Sequence, residues 1–182
     1  MEAIEGNMRS TELETGFRFH EQLIIAKKDI ENFYKPAENK VYRTFISNPP
    51  TEIDFTPQLF RDEEDGTIDL ALSQEEYDKL PGGKRKHYIA ERGLSVNETE
   101  ERAIEAAKSS FKNVEKKHGT EDAEVYMEEQ RGVYVGEIRW KPGQALISKT
   151  GKDGHFTVLL NQDVNWEDIE VFGVYEYAYR DE

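Results

Sequence analysis

The residues able to do chemistry are few, and their spacing excludes more than it allows. The four histidines are His20, His87, His118 and His155. None lies four residues from another, and no carboxylate joins them in a ligand pattern, so no metal is expected. Asp62-Glu63-Glu64-Asp65-Gly66 does not set its glycine and a closing glutamate as a calcium loop requires. Gly82-Gly83-Lys84 lacks the spacing of a phosphate loop, and no Gly-x-Gly-x-x-Gly occurs. Lys84-Arg85-Lys86-His87 is the one basic run. Between a turn and a strand it reads as a solvated guard of a sheet edge. Ser95 lacks the flanking glycines of a nucleophile elbow. With no cysteine in the chain, thiol nucleophiles, zinc–thiolate sites, iron–sulfur clusters and disulfides are excluded.

A chain of 182 residues is one domain, or a domain with a small appendage. Nine Phe, nine Tyr and two Trp supply a modest core and argue against disorder. The net charge is −14, with acidic ends flanking a near-neutral stretch at 73–118. Such a surface repels phosphate backbones, so direct nucleic-acid binding is not expected. It suits solubility, or docking on a protein with a basic or neutral surface. No apolar run approaches the ~20 residues of a membrane span. Met1-Glu2-Ala3-Ile4-Glu5 lacks the basic and apolar regions of a secretion leader, so a cytoplasmic location is expected.

The clearest positioning element is Arg92 to Gly119. Gly93-Leu94-Ser95-Val96 reads as a short strand feeding a helix over 97–118. That helix has Asn97 as cap, an acidic first turn, an apolar stripe at Ile104, Ala107, Phe111 and Val114, and a basic last turn. A second helix is expected over 18–34, from Phe19, Leu23, Ala26, Ile30 and Phe33. Ser73 and Glu76 form a capping box for a brief helix that Pro81-Gly82-Gly83 stops. Strands are expected at 41–46, 67–72, 86–96, 131–140, 144–149, 155–160 and 169–179. In the last, Tyr175, Tyr177 and Tyr179 share one face, more a packing stripe than a stacking platform. Residues 1–15 read as a mobile arm and 16–182 as a single α+β domain, two principal helices on a mainly antiparallel sheet.

The order of Tyr42-Arg43 on a strand, Gly93-Leu94-Ser95-Val96 leading into a helix, and later strands bearing His155, Thr157 and Glu176 resembles the ADP-ribosyltransferase-like fold of toxin-type domains, over about residues 41–179. The resemblance implies a cleft for nicotinamide dinucleotide. Arg43 would contact phosphate or ribose, Ser95 would shape the nicotinamide pocket, and Tyr42 and His155 would help hold the cofactor. Glu176 would orient a ribose hydroxyl and support the oxocarbenium-like transition state. The chain departs from the pattern at two points. No acid-x-acid pair is present in 170–178, and Ser95 is followed by Val96 and Asn97 instead of further hydroxyls.

Two functions are therefore expected. The first is an acidic, non-catalytic protein-binding or regulatory module of immunity or inhibitor type, with no cofactor. The second is an NAD-binding or NAD-consuming domain of ADP-ribosyltransferase type.

Overall fold

A computed structural model describes residues 11–13, 15–61, 71–151 and 154–180. Seven strands form one antiparallel sheet: β1 (Lys35–Pro36), β2 (Val41–Phe45), β3 (Leu94–Asn97), β4 (Tyr134–Arg139), β5 (Ala145–Lys149), β6 (His155–Leu160) and β7 (Glu170–Glu176). Their spatial order is β1-β5-β6-β3-β2-β4-β7. Five helices accompany them among the described residues: α1 (Lys27–Phe33), α2 (Gln74–Asp78), α3 (Gly82–Ala90), α4 (Glu100–His118) and α5 (Thr120–Tyr126). The fold is α+β with an antiparallel sheet. No helix among the described residues is long and apolar enough to cross a membrane.

Helix α4 forms for the reasons its sequence gives. Glu100 and Glu101 face the positive end of the helix dipole, and Lys116, Lys117 and His118 the negative end. Ala103, Ala107 and Phe111 are buried, with Ile104 and Val114 packed beside them. The cap is Thr99, whose hydroxyl accepts from the Arg102 amide at 3.2 Å. Asn97 is unavailable because it ends β3, where it pairs with both Tyr42 and His155.

Elsewhere the structure departs from the periodicity. The 18–34 helix divides into a 3-10 turn, Glu21–Ala26, and α1. The strand expected at 86–96 is helix α3 as far as Ala90, and only Leu94–Asn97 is extended. Pro81 is the N-cap of this helix, whereas α2 has already ended at Asp78, so Pro81-Gly82-Gly83 opens α3 instead of stopping α2. Tyr88 and Ile89 bury its inner side, while Arg85 bonds Asp29 at 3.1 Å, so the basic run is not a sheet guard. Residues 120–130, for which no element was expected, are helical, and the turn includes Arg131, which was expected to open the strand at 131–140. Of the strand expected at 67–72, 67–70 lie outside the described residues, and 71–72 are not extended strand. Tyr177 and Tyr179 pack toward α4, and Tyr175 bonds Glu100 there. The alternation that would put Val171 on their face breaks at Gly173, whose φ of +61° accompanies a register shift opposite Val135 and Glu137. Val171 packs on the other face. Of the expected mobile arm, 1–10 and 14 lie outside the described residues. The Leu13 amide bonds Phe17 O at 2.8 Å, and Glu12 bridges Arg18.

The core is in three parts. One sheet face carries Val41, Phe45, Leu94, Val96, Ile138 and Val158 in a single cluster. The opposite face is covered twice. Helices α4 and α5 lie over Val135, while the Glu21–Ala26 turn, α1 and α3 lie over Leu146 and Leu159. Between these two coverings, β2 and β3 cross the middle of the sheet.

Candidate functional site

Strands β2 and β3 are neighbours through a single pair, Tyr42 with Asn97. From there they diverge, β2 staying with β4 over five residues and β3 with β6 over four. The parting leaves the inward edge of β3 short of ladder partners, and Arg43 fills the place. Its guanidinium donates to the Ser95 carbonyl at 2.7 Å and to the Asp54 carbonyl at 3.1 Å. Asp54 is held by its own carboxylate, which accepts from the Ile46 amide, the Ser47 hydroxyl and the Thr51 amide. Arg43 is thereby fixed from both sides of the gap.

The gap opens into a cleft of about 520 Å³, lined by Arg43, Thr44, Arg61, Glu91, Ser95, Asn97 and Arg131 among others. Arg61 enters from the segment after the 3-10 turn Gln58–Phe60. It donates to Thr56 O at 3.0 Å and to Gln130 O at 2.8 Å. Gln58 adds a bond to the Gln130 side chain at 2.8 Å. Arg131 enters from a π-helical turn, Met127–Arg131, that carries α5 into β4. Extra residues of this kind in a helix recur at functional sites. Its carbonyl accepts from Thr44 Oγ1 at 2.9 Å, and its Nε is buried with no hydrogen-bond partner. Gly132 makes the approach possible. At φ +102° any Cβ there would lie 2.4 Å from Phe45 O.

Three guanidinium groups thus share one hollow in a chain of net charge −14. Burial, followed by the charges of Arg61 and Arg131, pulls the Arg43 pKa down, with Asp54 opposing. The cost of that crowding falls when an anion enters, and guanidinium forks match phosphate oxygens in geometry and charge. The carboxylate lining the cleft is Glu91, at the end of α3, 3.4 Å from His87 Nε2. Ser95, Thr44 and Asn97 add neutral donors and acceptors to the wall.

Of the residues singled out in the sequence, Arg43 and Ser95 meet here. Tyr42 does not line the cleft: its hydroxyl donates to Glu137 at 3.1 Å on the α4 side. His155 is not among the lining residues but lies beside them, paired with Asn97 across β3 and β6, with Nδ1 3.0 Å from Thr150 Oγ1. Burial, then the Arg131 charge, lowers its pKa. Glu176 is exposed on β7, opposite Tyr134 and two strands from β2, and is not a cleft residue. Arg61, Arg131 and Glu91 escaped the sequence reading. The one sequence signal was Gln130-Arg131-Gly132, a basic residue held before a glycine that opens a strand. Among the described residues no group of three or more histidines and carboxylates could hold a metal ion.

Comparison with protein-family models, with curated proteins and with solved structures finds no match to this chain.

Proposed function

We propose that the protein binds a phosphate-bearing dinucleotide of the NAD type in the cleft between β2 and β3. The observation that carries the reading is the convergence of Arg43, Arg61 and Arg131 on one hollow of a strongly acidic molecule. Surface charge of the opposite sign keeps anions away in general, so a local cluster of guanidinium groups is a selective feature. The meeting of Arg43 with Ser95 supports the resemblance to ADP-ribosyltransferase-like domains. The distance of Glu176 from the cleft favours binding over turnover.

Calorimetric titration with NAD tests this. Binding is expected to weaken as salt rises and to be lost in Arg131→Gln. Absence of binding to NAD and to inorganic pyrophosphate overturns the reading. Nicotinamide release by the wild type would turn it from binding to catalysis.

A second reading, docking of a basic protein partner, rests on β7. This outermost strand exposes Phe172 and Tyr175, at 39% and 44%, between Glu170 and Glu176. Partner capture from the native host that survives Arg131→Gln but fails in Phe172→Ser would favour it.

A further inference from the structure

A second hollow, of about 440 Å³, adjoins the arginine cleft, and Gly93 lines both. Its character is different. Phe19, Phe55, Phe60, Trp166 and His20 form much of its wall. The His20 ring lies parallel to Phe60 with centroids 4.2 Å apart, and Phe55 is stacked at 6.3 Å from Trp166. The segment Pro57–Arg61 divides the two spaces: Pro57 and Phe60 face the aromatic hollow, while Gln58, Leu59 and Arg61 face the arginines. The two meet at a residue without a side chain. A Cβ on Gly93 would lie 2.6 Å from Thr157 Cγ2, so packing against β6 keeps that position bare.

We propose that the aromatic hollow holds a planar ring joined to the phosphates bound next door, which makes the ligand class a nucleoside diphosphate or a close analogue. This rests on the arginine cleft being an anion site. Rings stack on aromatic faces regardless of their exact identity, so such a wall selects a planar group over a bare phosphate or an aliphatic ester. Glu52, Thr56 and Asn161 supply polar groups at the rim that could read a ring edge.

The test compares ADP with inorganic pyrophosphate on the full chain, by calorimetry and by tryptophan emission. ADP is expected to bind roughly tenfold more tightly than pyrophosphate and to change Trp166 emission. Phe60→Leu keeps an apolar side chain but removes the stacking face. It should erase most of the ADP advantage and leave pyrophosphate affinity as it was. Trp166→Leu should do the same if Phe60→Leu fails to fold. Equal affinity for ADP and pyrophosphate overturns the ring compartment while the anion site stands. Binding of neither ligand overturns the anion site and this inference with it.

Discussion

Arg43 Nη1 donates to the Ser95 carbonyl at 2.7 Å, across the gap where β2 and β3 part. The bond gives one side chain two duties: it completes the backbone of β3, and it brings a positive charge to the cleft. Arg43→Met should therefore cost stability as well as affinity. Two carbonyls lose their donor, and about 1–3 kcal/mol is expected in urea unfolding. Arg131→Gln should bind as poorly with a smaller loss of stability, since its Nε has no partner to lose. Equal stability losses in the two variants would contradict this division.

Gly132 sets the position of Arg131. Gly132→Ala combines a φ of +102° with a Cβ 2.4 Å from Phe45 O. It should lower the melting temperature by clearly more than Gly143→Ala, where φ is +81° but nothing lies within 4 Å. A cost of about 1 kcal/mol is expected at Gly143 and several times that at Gly132. Differential scanning calorimetry of the pair separates backbone strain from collision.

His155 reports on the cleft without lining it. Burial, then the Arg131 charge, holds its pKa below the ordinary histidine value. A depressed histidine favours the folded state above the unfolded pKa, near 6.5, and that stability is lost as the pH falls, because the unfolded chain takes up the proton first. Pyrophosphate beside Arg131 should raise the His155 midpoint, and so should Arg131→Gln. Imidazole shifts in a nuclear magnetic resonance titration read both effects. An unmoved midpoint at saturating pyrophosphate would put the anion elsewhere.

At the alkaline end the tyrosines dominate. The bond to Glu100, followed by burial, pushes the Tyr175 pKa up to about 12, and burial pushes Tyr34 and Tyr177 upward as well. A raised tyrosine leaves stability intact below its unfolded value of about 10 and removes it as the pH rises further, since only the unfolded chain has lost the proton. The urea midpoint should be flat to about pH 10 and then decline. Tyr175→Phe should soften that decline. Absorbance at 295 nm should show Tyr34 and Tyr177 ionising only as the chain unfolds.

Much of this architecture was legible from local pattern. Helix α4, strand β2 and the β5–β6 hairpin each follow from periodicity and punctuation that the tertiary fold does not override. Helix α3 was not legible, because Lys84 to His87 carries no apolar period and only Tyr88 and Ile89 meet the core. Helix α5 and the turn after it had a weak signal in Ala123 and Met127, four apart and both buried, but the surrounding acids hid it. Part of the candidate site was visible in Arg43 and Ser95. Arg61 and Arg131 were not, because chain pattern gives no measure of which distant turns fold over one gap.

The single rung between Tyr42 and Asn97 has a consequence for the molecule's company as well as for its cleft. Beyond it, β2 and β3 each present a border that no strand pairs, and such borders ordinarily recruit foreign strands and seed fibrils. Here the two borders look at one another inside the protein, with Arg43 standing between them. The chain gains an interior opening in its sheet without offering a new outer margin on which copies could polymerise.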